Sequence, residues 1–175
     1  MPRLNVLVEG PDDVRFFERV LVERLKNRYD AVRLVPYACL RRTAVDRLLR
    51  GFAHLGEAYL IVADIDNEPS VRAKKRVILN RFEEARPGAI AVVIMEIESW
   101  YLAGADDGFL GQCGLLPMPS TDYVTKEGFN ALIPRPYLSR VGFMLDLLDG
   151  YSLERGAERN RSLAFFLARF AAIDK

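Results

Sequence analysis

Leu4-Asn5-Val6-Leu7-Val8-Glu9-Gly10-Pro11-Asp12-Asp13 decides how this chain folds. Its first five residues are nearly all apolar, as in a strand buried on both faces. Glu9-Gly10 ends the run, and Pro11 with Asp12 and Asp13 reads as a helix start, where an acidic side chain can accept bonds from the first free amides. Val14, Phe17, Leu21 and Leu25 then recur at helical spacing with charges between them. Strand, glycine turn and helix form one unit.

The pattern repeats downstream. Residues 31–37 are a second strand candidate, and 43–55 a helix whose apolar face is Val45, Leu48, Leu49 and Phe52. Ala58-Tyr59-Leu60-Ile61-Val62-Ala63 is a third apolar strand, ending at Asp64-Ile65-Asp66-Asn67. Pro69 suits the first turn of a helix running to about Arg86, because its missing N–H would be unpaired there anyway. Pro87-Gly88 breaks that helix. Residues 89–95 are a fourth apolar strand, closing on Glu96-Ile97-Glu98. Apolar strands alternating with helices predict an α/β fold with a four-stranded, mainly parallel sheet between helices. After Trp100 the character changes. Residues 104–136 are rich in Gly, Pro, Asp and Thr, then helices are expected over 137–148 and 152–173, the last with Leu163, Phe166, Leu167 and Phe170 on one face. The expected organisation is an α/β domain over 1–103 and a helical extension over 104–175.

Composition narrows the function classes. The chain has 175 residues, enough for a full core, and is 50% hydrophobic, which excludes disorder. No apolar run reaches the roughly 20 residues of a membrane helix, and the chain enters a strand at once without a signal peptide, so a cytoplasmic protein without membrane attachment is expected. A net charge of +1 excludes a strongly basic nucleic-acid coat. A single histidine, His54, excludes every scheme needing two. Cys39 and Cys113 stand far apart and read as reduced core thiols.

Ligands of open α/β sheets bind beyond the carboxyl ends of the strands. Three of the four expected strands end there in carboxylates: Glu9, then Asp64 and Asp66, then Glu96 and Glu98. In an extended chain, residues i and i+2 point the same way, so Asp64 and Asp66 share a side while Ile65 points to the core, and Glu96 and Glu98 repeat the arrangement. Like charges roughly 4 Å apart repel by about 4 kcal/mol at an effective dielectric near 20, which calls for compensation. Mg²⁺ or Mn²⁺ suits such an oxygen-rich edge, especially beside substrate phosphate. Each acid alone more often caps a helix or faces solvent; the shared edge sets the group apart. Arg72, Lys74 and Lys75, with Arg41 and Arg42 after the second strand, are candidate phosphate contacts, although most cations at such positions are solvated helix faces. Trp100 and Tyr101 read as packing residues.

Val6 to Asp13 resembles the first motif of TOPRIM domains, an apolar strand followed by Glu-Gly and then an Asp. Leu60-Ile61-Val62-Ala63-Asp64-Ile65-Asp66 resembles the second, an apolar strand ending in Asp-x-Asp. TOPRIM domains occur in topoisomerases, bacterial primases, OLD-family nucleases and small ribosomal-RNA maturation nucleases. The resemblance implies a Rossmann-like TOPRIM fold, a divalent metal on the Asp pair, and Glu9 as a metal ligand or general acid/base in phosphodiester chemistry. Glu96-Ile97-Glu98-Ser99-Trp100-Tyr101-Leu102 is similar to a Glu-x-Glu-x-Trp-x-Leu segment of small TOPRIM-like proteins of unknown function, whose C-terminal signature is echoed by Leu153-Glu154-Arg155 and 161–167. Gly104 departs from that family, which carries an Asp there. Nothing resembles a topoisomerase nucleophile domain or a primase zinc domain.

The reading that follows is a Mg²⁺-dependent nuclease, or related phosphoryl-transfer enzyme, acting on nucleic acid. Its catalytic residues are Glu9, Asp64 and Asp66; these three also bind metal, supported by Glu98 and Glu96. The alternative is a non-catalytic metal- or nucleic-acid-binding module with a partner protein, in a defence or toxin–antitoxin complex. A small-molecule phosphatase with Asp64 as nucleophile is a third reading, disfavoured because its acidic pair would follow the first strand and Glu68 stands where Thr or Val is expected.

Overall fold

The computed structural model describes residues 2–172. They form two compact units, residues 2–93 and Ile94–Ala172. The division falls after Val93, whereas the change of sequence character falls near residue 103. The reason is that the helix over Glu98–Ala103 packs with helices of the second unit.

The first unit is a Rossmann-like α/β layer. Its strands are β1 (Leu4–Val8), β2 (Val32–Pro36), β3 (Ala58–Asp64) and β4 (Ile90–Val93), in the order β2-β1-β3-β4 and parallel at every pairing. Leu7 pairs with Val35 and with Ile61, and Asp64 with Val93. All five β1 residues are buried, as expected for a strand with helices over both faces. Leu7, Ile61, Ala63, Ile90 and Val92 face one core with Val45, Leu49 and Phe52 of α3 (Arg42–His54) and Ile78 of α4 (Val71–Arg81). Val6, Val8, Leu60 and Val62 alternate to the opposite side and are equally buried. Each such aliphatic side chain contributes roughly 1.5–3 kcal/mol when fully buried.

The helix after β1 begins as α1 (Pro11–Phe16), passes through a π-helical turn (Phe17–Leu21) and ends as α2 (Val22–Leu25). Both Phe16 and Phe17 are fully buried, with ring centroids 6.5 Å apart. The expected helical face included Phe17 but not Phe16; one wide turn brings both inward. Gly10 is the N-cap, and Asp13 Oδ2 accepts from the Gly10 amide at 3.1 Å, closing half of a capping box. Asp12 pairs with Arg15 at 2.6 Å.

Three boundaries differ from expectation. α4 starts at Val71, not at Pro69, because the Ser70 hydroxyl caps it by accepting from the Ala73 amide. It stops at Arg81 because Phe82 turns extended and is buried against Tyr37. β4 ends at Val93, and Met95 takes a left-handed φ of +62°.

The second unit is helical: α5 (Glu98–Ala103), α6 (Asp107–Gln112), α7 (Lys126–Leu132), α8 (Arg140–Leu148), α9 (Leu153–Arg159) and α10 (Arg161–Phe170). Trp100, Tyr101, Phe129, Phe143 and Phe166 are fully buried in it, so the Trp-Tyr pair is packing. The single helix expected over 152–173 is broken at Asn160, and its expected end lies outside the described residues. Asn160 Nδ2 donates to Ser99 Oγ and Thr121 Oγ1, while its Oδ1 accepts from Ser162 Oγ and the Leu163 amide. That long-range set outweighs helix continuity. Gly104 admits no side chain, since a Cβ there would lie 2.4 Å from the Ser152 carbonyl oxygen and from the Tyr151 ring. An Asp at this position is therefore excluded sterically. Cys39 and Cys113 are free thiols; Cys39 is exposed, not in the core, because it lies in the turn after β2.

Candidate functional site

β1 leads to β2 on one side, and the chain then crosses back to place β3 on the other side of β1. The connections leaving β1 and β3 therefore run in opposite directions, which opens a crevice at the carboxyl ends of these two strands. Glu9 is the first residue beyond β1, and Asp64 is the last residue of β3. Topology alone puts them at the same crevice.

Side chains complete the picture. Glu9, Tyr37, Asp66, Lys74, Arg81 and Phe82 line a cleft of about 160 Å³. Glu9 Oε1 accepts from the Tyr37 hydroxyl at a long 3.4 Å. Burial raises the Glu9 pKa above the ordinary carboxylate value; the charge of Asp66 raises it further, while Lys74, the Asp64 backbone amide and Tyr37 oppose the shift. Glu9 thus feels the charge of Asp66 and the backbone, not the carboxylate, of Asp64. Burial, and then the charge of Glu9, raise the Tyr37 phenol above its normal range.

Asp64 and Asp66 do not share a side through extended geometry. Asp64 is the last strand residue, and Asp66 sits in a left-handed turn at φ +51°. Period-two alternation fails once the chain leaves the strand. Ile65 does pack toward the core. The Asp66 side chain accepts a short ion-pair hydrogen bond from the Lys74 ammonium.

The other expected site residues are placed as follows. Glu96 and Glu98 belong to the second unit, and neither continues a strand: Glu98 opens α5 and Ile97 before it is already helical. Glu96 Oε2 accepts from the Lys126 amide, and the buried Glu98 pairs with Arg140. Arg72 and Arg41 are exposed, Lys75 is half-buried, and Arg42 binds Glu83 at 2.6 Å. Sequence reasoning missed Tyr37 and Arg81. The first stands just past β2, and the second follows Lys74, Val77 and Ile78 on one helical stripe, so strand-end position and the i, i+3, i+4, i+7 spacing were the available signals.

Carboxylate oxygens at a sheet edge are the donors that hard divalent cations take. The arrangement described does not yet supply a metal centre. Among the described residues no group of three or more His, Cys, Asp or Glu side chains is placed to share an ion, and the positive charge at Asp66 is Lys74.

No family model and no curated protein matches the chain. A solved structure similar to it is the C-terminal region of the OLD protein of Xanthomonas campestris pv. campestris, at 19% identity over 96% of this chain and 85% of that one. Its TM-score of 0.39 is too low to carry a conclusion about function. Among the described residues no helix is long and apolar enough to cross a membrane.

Proposed function

We propose that the chain is a phosphodiesterase acting on nucleic acid, with Glu9, Asp64 and Asp66 as its reactive edge. The observation supporting this is that Glu9 shares one cleft with Asp66 at the crevice between β1 and β3, the strand that Asp64 ends. Mg²⁺ or Mn²⁺ meeting the carboxylates of this edge would supply charge neutralisation at phosphate. Glu9 is suited to exchanging a proton, because its raised pKa lies nearer neutrality than that of an ordinary glutamate. Arg81, at the cleft wall, would meet phosphate oxygens, with the exposed Arg72 and Arg41 as further candidate contacts.

The test is cleavage of single- and double-stranded DNA and RNA in Mg²⁺ and in Mn²⁺ by the native protein, Glu9→Gln and Asp64→Asn. The proposal expects cleavage by the native protein and a loss of at least about a hundredfold in each variant. Equal rates in all three would remove these residues from the reaction. The Lys74–Asp66 pair favours a second reading, a binding module that needs no metal. That reading expects nucleic-acid binding unaffected by chelator and no turnover.

A further inference from the structure

The charged residues lining the cleft at the ends of β1 and β3 are two acids and two bases, Glu9 and Asp66 against Lys74 and Arg81, so their formal charges balance. The two bases are held differently. Lys74 is buried and gives one of its three ammonium protons to Asp66. Arg81 is exposed, and among the described residues no carboxylate pairs with it, whereas Arg42 and Arg50 of α3 are engaged by Glu83 and Glu84. Arg81 is held instead by the Phe82 ring, whose centroid lies 5.1 Å from the guanidinium carbon. A guanidinium held by its face keeps its in-plane N–H donors for acceptors, and their fork matches two oxygens of one phosphate.

Size and charge narrow the guest. At about 160 Å³ the cleft lies below the roughly 300–1,000 Å³ of ordinary small-molecule pockets, so it has room for one phosphoryl group and leaves sugar and base outside. With Lys74 committed to Asp66, Arg81 can match one negative charge, while Glu9 repels any further one. A phosphodiester carries a single charge, and a terminal phosphate carries about −1.5 to −2 at neutral pH. We propose that Arg81, with the two remaining Lys74 protons, directly seats one internal phosphodiester of a nucleic-acid strand, and that the cleft discriminates against terminal phosphates. The proposal deepens the functional reading above and rests on it only for the fate of the strand. Joined to that reading, it makes the chain act within strands, with no need of an end.

Two measurements on the full chain test this, both in the presence of chelator. In the first, NMR follows the Arg81 Nε–H resonance of the native protein at pH 7.5 during titration with dimethyl phosphate and with monomethyl phosphate. In the second, fluorescence anisotropy gives the affinities of the native protein and of Arg81→Gln for single-stranded DNA ending in a 5′-hydroxyl or a 5′-phosphate, with a closed single-stranded circle as competitor. The expected result is a dissociation constant about fivefold lower for dimethyl than for monomethyl phosphate. Both linear strands and the circle should bind alike per nucleotide, and Arg81→Gln should weaken all three about tenfold. The titration uses native protein, so it stands even where the variant fails to fold. A 5′-phosphate strand bound several-fold tighter than its 5′-hydroxyl counterpart, or monomethyl phosphate as the better ligand, would make the cleft a seat for strand ends and overturn the proposal. An Arg81 resonance unmoved by dimethyl phosphate, with Arg81→Gln binding strands as the native protein does, would overturn it as well. The expected binding without cleavage in Mg²⁺ or Mn²⁺ would remove the phosphodiesterase reading and leave this seat standing; cleavage without the expected binding would do the reverse.

Discussion

Asp66 accepts the Lys74 ammonium from a backbone position, φ +51°, that lies beyond the end of β3. The turn carries the acid out of the strand's alternation and over the first turns of α4. That places it on the cleft wall with Glu9, the first residue past the neighbouring strand β1. Two strand ends and one helix therefore converge on a single charged cleft.

Glu9→Gln should stabilise the protein at neutral pH. The folded-state pKa of Glu9 is raised above 4.5, chiefly by burial, so its ionised form opposes folding. The associated stability is present in full below the unfolded value and is lost as pH rises through the higher folded value. Thermal unfolding at pH 7.5 should give a higher Tm for Glu9→Gln than for the native protein, and the difference should vanish well below pH 4. A variant less stable than the native protein at pH 7.5 would contradict the assigned burial cost.

Gly104→Ala should destabilise the second unit by about 2–3 kcal/mol, because the new methyl would press on the Ser152 carbonyl and the Tyr151 ring. A urea midpoint equal to that of the native protein would refute the close approach.

Asn160→Ala should cost about 3 kcal/mol. It removes donors and acceptors from a residue only 1% exposed and leaves Ser99, Thr121 and Ser162 short of partners. Denaturant unfolding measures the loss, which should far exceed that of Arg76→Ala, at an exposed position in the first unit.

Nucleic-acid binding should separate the arginines. Arg72→Ala should lower the salt slope of duplex affinity by about 0.9, the contribution of one phosphate contact. Arg42→Ala should leave the slope unchanged, since Arg42 is engaged by Glu83 and Asp46. Fluorescence anisotropy over a range of salt concentrations gives both slopes.

These expectations show what the sequence could and could not disclose. Continuous apolar runs marked β1 and β3, and their ends put Glu9 and Asp64 at one sheet edge, because buried parallel strands tolerate little else. Asp66 was harder: the i, i+2 rule assumes extension, and its left-handed turn breaks it. Glu96 and Glu98 failed the same rule because the chain turns helical at Ile97. The break at Asn160 was hidden because its partners Ser99 and Thr121 lie 61 and 39 residues away. Lys74 read as a candidate phosphate contact or a solvated helix face; only the packing of α4 revealed it as a buried partner of Asp66.

The central claim is that the ends of β1 and β3 form one cation site. Anomalous diffraction from crystals soaked in Mn²⁺ tests it most directly. A peak bonded to carboxylate oxygens of Glu9 and of Asp64 or Asp66 is the expected result. Ordered crystals with Mn²⁺ bound only elsewhere would contradict it.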